Sequence, residues 1–450
     1  MGINIRIHSD SLRTNSQSCG IFFRGLKINY YGLIFIVVFT MVLAACKQES
    51  RPVSEDPDAK KVDFRYSVPW WQTSVCLPDD PDKPLVGKEG QYFFDFNRGG
   101  PRNFAFSLTP RIADTMKWIR QETWSAKVPV VRTWYEANGI EMLSESFLTI
   151  PENLPVYNIP GSALTKEGRC HAVIMKLKNS GAEAKYCQPV MVIEGVDPVA
   201  FNKETGLVTI GDTRLLASEQ LESCERKGNQ WFIKTPPHEI KPGDTYNVAF
   251  TILRGSQERK ALSVSEALHE RDHAIKWWES AELPWNAIQV PDTAIQAILQ
   301  SCIRNIWQAR EIKNGQPAFQ VGPTVYRGLW IVDGAFLLEA AALLGRAEEA
   351  RSGINYTLGF QKPDGSFEVI RHYWKENGIV LWTCYRHAIL TNDKAWLESV
   401  WPKTENMVSA IRHLRERPRT EPSGLDDGLM PEGVTDGGIG GDNHEYSNDY

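Results

Sequence analysis

Between residues 62 and 255 apolar positions alternate with polar ones or run for a few residues at a time, and turn formers separate the runs. Tyr92-Phe93-Phe94-Asp95-Phe96, Val128 to Trp134, His171 to Leu177 and Tyr246 to Thr251 are such runs, with Asn179-Ser180-Gly181 and Lys241-Pro242-Gly243-Asp244 beside the last two. Short strands at this spacing, with no helical period among them, predict a β-sandwich over 62–255. From about Ala261 the apolar spacing changes to three and four. Residues 261–280 read as a charged connector helix within a segment 256–286, broken by Leu283-Pro284. Asp292 stands as an N-cap before Ile295, Leu299, Cys302, Ile306 and Ala309, one face of a helix. Further helices are predicted over roughly 329–344, 347–360, 378–390 and 394–415. Two turns look alike, Leu344-Gly345-Arg346-Ala347 and Leu390-Thr391-Asn392-Asp393, and they lie 46 residues apart. That interval is what an array of α-hairpins would give.

The N-terminus changes the picture of where the protein works. Arg24 and Lys27 precede an apolar run from Tyr30 to Ala45 that ends Leu43-Ala44-Ala45-Cys46. The run is too short to span a bilayer and fits a secretory h-region. A cysteine directly after Leu-Ala-Ala resembles a lipoprotein signal, which implies a mature chain that starts at a lipidated Cys46 and sits on a bacterial outer membrane or a periplasm-facing membrane. Residues 1–46 are then the signal peptide and 47–61, rich in proline and charge, a flexible tether.

Charge and cysteine content exclude other classes. Fifty basic against 55 acidic residues give a net charge of −5, which lacks the electrostatic footprint of a nucleic-acid binder. Beyond Cys19 and Cys46 the cysteines are Cys76, Cys170, Cys187, Cys224, Cys302 and Cys384, none in a CxxC pair. Mostly buried thiols are expected, with Cys170 and Cys187 the one pair that could be bridged. Nothing implies a cofactor or a metal site. Fifteen tryptophans suit either a core or a face that stacks on a ligand.

The order sandwich, connector, helical hairpins resembles the six-hairpin glycosidase superfamily, which includes glucoamylases and glycogen-debranching barrels. The resemblance is carried by Val290-Pro291-Asp292, Tyr326 to Ala341 with Trp330 and Asp333 at the second helix start, Gln361 to Phe367, Leu381-Trp382, and Gly428-Leu429-Met430-Pro431-Glu432. It implies a β-sandwich followed by an all-α (α/α)6 toroid over 287–450. Residues 287–450 hold only the first helices of such a toroid, so an incomplete toroid, and a chain inactive by itself, are expected. The resemblance implies an exported glycoside hydrolase acting on an oligo- or polysaccharide. A glycan phosphorylase, a polysaccharide lyase and a non-catalytic surface glycan-binding lipoprotein are the alternatives on the same architecture.

Glycoside hydrolysis needs two carboxyl groups, one to protonate the leaving oxygen and one to activate water or attack. Glu432 is the candidate general acid, in a glycine- and acid-rich stretch 424–449, and a partly dry pocket would raise its pKa as an acid requires. The mechanism expected with it is inverting. Glu445, Asp442 and Asp436 compete for the role, and a solvated or calcium-binding acidic loop is the plain alternative. The resemblance implies that Asp333 binds sugar hydroxyls, with Arg327 standing in for an arginine that the superfamily places beside it. Trp330, Trp374 and Trp382 are candidates for stacking on a pyranose face, whereas Trp307, Trp396 and Trp401 are expected to pack. Asp364 reads first as a turn residue and second as a substrate contact. His387 and His444 could tune a carboxyl group.

Overall fold

A computed structural model describes residues 71–152, 154, 170–255, 259–416, 428–434, 442–443 and 448. Cys46, the signal segment, the tether, Asp436, His444 and Glu445 lie outside these residues, as does the side chain of Asp442.

The strand-rich half forms two antiparallel sheets. One has seven strands in the order Gln72–Ser74, Leu85–Gly87, Tyr92–Phe96, Phe104–Arg111, Val190–Gly195, Gln230–Lys234 and Ser223–Lys227. The other has eight, in the order Val199–Asn202, Leu207–Ile210, Thr213–Ala217, Thr245–Leu253, His171–Asn179, Ile140–Leu148, Val131–Ala137 and Lys117–Thr123. All their pairings are antiparallel, and the runs Tyr92–Phe96 and His171–Leu177 that the sequence marks as strands lie near the sheet centres. Tyr92 and Phe94 of one sheet and His171, Met175 and Phe250 of the other are buried, so the apolar payload of both sheets is removed from water together. The Tyr92 hydroxyl lies 2.6 Å from His171 Nδ1 and satisfies a buried polar group across the sheets.

Six helices follow. Helix α1 (Val264–Ser280) starts in a capping box: Ser263 Oγ accepts the Glu266 N–H, and the Glu266 carboxylate accepts the Ser263 N–H. It packs on the eight-stranded sheet over Ile140–Leu148, His171–Asn179 and Thr245–Leu253. Helix α2 (Thr293–Ala309) is capped by Asp292, whose carboxylate accepts from Ala294 and Ile295. The sequence spacing finds this helix but not its buried face. Ile295, Ile298 and Cys302 are exposed, while Ala297, Ile303, Arg304, Trp307 and Gln308 are buried. The reason is what α2 packs on: Arg304 donates to Ala126 C=O at 2.8 Å and Gln308 to Cys76 C=O at 2.7 Å, main-chain acceptors at the edge of the strand-rich half.

Helices α3 (Ile331–Leu343), α4 (Ala347–Leu358), α5 (Lys375–Thr391) and α6 (Lys394–Arg415) follow in succession; α4 packs on α3 and α5, α5 packs on α3 as well, and α6 packs on α5. The two turns that look alike in sequence close alike. Gly345 after α3 and Asn392 after α5 both take positive φ, 79° and 55°, the conformation that ends a helix and satisfies its last carbonyls. A hairpin, Glu311–Lys313 with Gln316–Ala318, separates α2 from α3.

The halves are locked by buried charge. Arg310, fully buried, holds the Asp79 carboxylate at 2.6 and 2.9 Å and also pairs with Glu349, which accepts the Trp307 indole N–H at 2.9 Å. Lys83 Nζ donates to Arg310 C=O at 2.9 Å. The core cluster runs without a break from Val75 through the sandwich to Met407.

Two expectations need correction. Cys170 and Cys187 are not bridged; Cys170 Sγ lies 3.5 Å from the Thr149 hydroxyl, while Cys187 sits on a short strand opposite His238. Trp401 does not pack: it is 52% exposed on α6.

Candidate functional site

Helices α3 and α5 run side by side in the same direction. Phe336 meets Trp382 with ring centroids 5.5 Å apart, and one turn further along Glu339 accepts from Arg386 at 2.7 Å. Their N-termini therefore open at the same end. Trp330 is the N-cap residue of α3 and Trp374 that of α5, and neither side chain caps its helix by a hydrogen bond.

At the start of α3 the Tyr326 and Trp330 rings meet edge-on at 4.6 Å, with Tyr326 52% exposed and Trp330 half-buried. Tyr326 has φ 57°, a strained conformation for an aromatic residue, so the backbone of this loop is tightly set. Asp333, in the first turn, is exposed at the positive end of the helix dipole. Phe336 (57% exposed), half-buried Trp382 and Tyr385 (60% exposed) continue the aromatic surface along α3 and α5. Behind Trp330 lies an apolar recess walled by Phe319, Ile331, Ala335, Leu338, Ile354 and Val380. It offers almost no polar groups and suits packing rather than a sugar.

At the start of α5 the geometry differs. Trp374 is buried, its ring stacked on His372 at 5.6 Å, and its indole N–H donates to the Glu432 C=O at 3.0 Å. Val434 N–H donates to His372 C=O at 3.0 Å, so residues 432–434 lie against 372–374. Gly433 is required there: a Cβ would stand 2.4 Å from His372 O. The Glu432 side chain itself is exposed.

The structure thus brings together Trp330, Asp333 and Trp382 on one open surface, and places Trp374 and Glu432 at the next helix start. It corrects two expectations. Glu432 is not in a partly dry pocket, because its side chain is exposed. Trp374 offers no open face for stacking, because its ring is buried. The Arg327 guanidinium, the expected stand-in beside Asp333, pairs with Glu311 at 2.7 Å and donates to Pro81 C=O at 2.6 Å, bracing the hairpin against the sandwich. Asp364 closes an Asx turn on Ser366, whose N–H and hydroxyl lie at 2.9 and 2.6 Å and hold the carboxyl below its ordinary range. His387 is buried edge-on against Trp396 at 4.7 Å, and burial pushes its imidazole down towards the neutral form.

Sequence reasoning missed Glu376. This carboxyl, fully buried in the first turn of α5, is pushed up to about 7, chiefly by burial and opposed by N–H bonds from Val369 and Ile370. A glutamate two residues after a tryptophan at a helix start was the available signal. Among the described residues no cluster of His, Cys, Asp and Glu could hold a metal ion, and no helix is long and apolar enough to cross a membrane.

No family model matches the chain, and no curated protein matches it in sequence. Among solved structures it is similar to a putative kojibiose phosphorylase from the human microbiome, at 10% identity over 77% of this chain and 57% of that one, TM-score 0.43. It is similar as well to a bacterial glucoamylase complexed with acarbose, at 10% identity over 77% and 68%, TM-score 0.40. A family GH92 alpha-mannosidase from Bacteroides thetaiotaomicron gives 9% identity over 78% and 64%, TM-score 0.30. The chain spans less than two thirds of the length of the phosphorylase and of the mannosidase.

Proposed function

We propose that the protein is a carbohydrate-active enzyme of the six-hairpin type, exported and lipid-anchored at Cys46, that hydrolyses a glycosidic bond in an oligo- or polysaccharide. The observation that carries the reading is the aromatic surface that starts with Tyr326 and Trp330 at the N-terminus of α3 and continues with Phe336 and Trp382 along α3 and α5, with the Asp333 carboxylate in the first turn. A pyranose presents an apolar C–H face to such rings and hydroxyl donors to such a carboxylate. Glu432, held at the N-terminus of α5 through its backbone, is the proposed proton donor of an inverting hydrolysis. Because its side chain is exposed, the dryness a general acid needs must come from the glycan that covers it.

The test is a glycan panel with reducing-end detection, run with and without inorganic phosphate and with ultraviolet detection of unsaturated products. A plain reducing sugar lost in Glu432→Gln supports the reading. Phosphate incorporation would make the protein a phosphorylase, and ultraviolet-absorbing products a lyase. Binding without turnover would leave a glycan-binding lipoprotein, and neither binding nor turnover on any glycan overturns the proposal.

A further inference from the structure

Glu376 and Asn377, the second and third residues of α5, are fully buried and face backwards onto the loop before the helix. Val369 N–H donates to Glu376 Oε2 at 2.6 Å and Ile370 N–H to Oε1 at 3.2 Å. Asn377 accepts the Phe367 N–H at 2.6 Å and donates to the carbonyls of Phe367 and Trp374, both at 3.0 Å. A loop's main-chain groups that would otherwise face water are thus satisfied by two side chains of the following helix. The far end of the same loop carries the contacts to the proposed acid's segment, His372 C=O to Val434 N–H and the Trp374 indole to Glu432 C=O.

The geometry points to Glu376 as a positioning residue: with Asn377 it holds Phe367 to Trp374 in the conformation that docks residues 432–434, and so sets where the Glu432 carboxyl stands. The catalytic consequence rests on the reading of Glu432 as proton donor; the latch between Glu376 and Val434 does not.

A carboxylate is the one side chain of this length with two acceptor oxygens for two N–H donors. Glutamine keeps one acceptor and turns an NH2 group towards the second N–H, and aspartate keeps both but falls about 1.5 Å short. The charged groups that act on Glu376 are Glu368, which accepts the His372 N–H at 2.9 Å, and Lys362, which pairs with Glu368. Neither of these bonds to Val369 or Ile370, so the two peptide donors depend on Glu376.

The experiment follows the Trp374 indole N–H signal by NMR, assigned through Trp374→Phe, together with amide exchange at Val369, Ile370 and Val434. In Glu376→Gln and Glu376→Asp, exchange at all three amides is expected to rise at least tenfold and the indole signal to shift, after each rate is corrected for that variant's own global unfolding free energy at the same pH. Faster exchange at Val369 and Ile370, with Val434 and the Trp374 signal within twofold of wild type, overturns the latch. If neither variant folds, a pH titration of the chain in the His372→Gln background decides. One shared midpoint at Val369 and Val434 supports the latch, and movement at Val369 alone overturns it. These outcomes stand whether or not the glycan panel shows turnover.

Discussion

Phe336 and Trp382 are 46 positions apart in the sequence and their ring centroids are 5.5 Å apart. Nearly the same interval relates Glu339 to Arg386 and the closing turns at Leu344 and Leu390. The interval is therefore a structural register. Two helices lie side by side in the same direction with a third returning between them, and whatever one presents at its start the other presents beside it.

That surface should bind sugar through its rings more than through its ions. Trp330→Ala is expected to weaken glycan affinity about tenfold, roughly 1.4 kcal/mol, measured by titration calorimetry on the best glycan of the panel. Phe336→Ala, at 57% exposure, should change the unfolding free energy by only about 0.5 kcal/mol. Unchanged affinity in both variants would move the binding surface elsewhere.

Glu376 gives stability a pH dependence with a definite sign. Its folded pKa, about 7, lies above the 4.5 of the unfolded chain, so the native state holds the proton more tightly. The contribution is fully present below pH 4.5 and is lost as pH rises through about 7, a swing of about 3 kcal/mol. Urea midpoints of wild type and Glu376→Gln measured from pH 4 to 8 should diverge in favour of the glutamine variant by roughly that amount as pH rises. Parallel curves would place the titration elsewhere.

Arg310 tests the junction of the two halves. Its guanidinium is fully buried between Asp79 and Glu349, and Arg310→Met leaves two buried carboxylates without the cation that bridges them. The expected cost is about 3–5 kcal/mol, read from thermal unfolding, with Asp79→Asn/Glu349→Gln/Arg310→Met together recovering part of it. A cost below about 1 kcal/mol would mean that the network does not lock the halves.

The thiols give a chemical check. Cys302 is exposed, whereas burial pushes Cys187 up to about 11 and Cys384 to about 12 and raises Cys170 as well. Because the thiolate is the reactive form, brief alkylation of the native protein at pH 7.5 should mark Cys302 first among these, by peptide mass spectrometry. A Cys170–Cys187 disulfide-linked peptide would contradict the arrangement.

Gly433→Ala probes the docked segment from its own side. The added methyl would stand 2.4 Å from His372 O and 2.7 Å from Trp374 Cδ1, so the backbone must move, at about 1–3 kcal/mol. The Trp374 indole signal should shift as it does in Glu376→Gln; no shift would separate the two contacts.

The sequence by itself determined the elements: strands from a period of two, helices from spacings of three and four, Asp292 as a cap, and a 46-residue interval between like turns. These are local matters, decided within a few residues by side-chain direction and hydrogen-bond closure. Only the tertiary structure decided which faces are buried. Helix α2 turns Arg304 and Gln308 inward beside Ile303 and Trp307 and leaves Ile295 outside, because main-chain carbonyls of the strand-rich half meet the helix where those two polar side chains lie. Likewise Arg327 was legible as a cation near Trp330, but its partner Glu311 lies across a hairpin, and Trp374 was legible as an aromatic at a helix start, yet its ring is covered. Glu376 was passed over for the same reason: what raises its pKa is burial, which depends on how distant segments fold over a residue and leaves no mark on the residue itself.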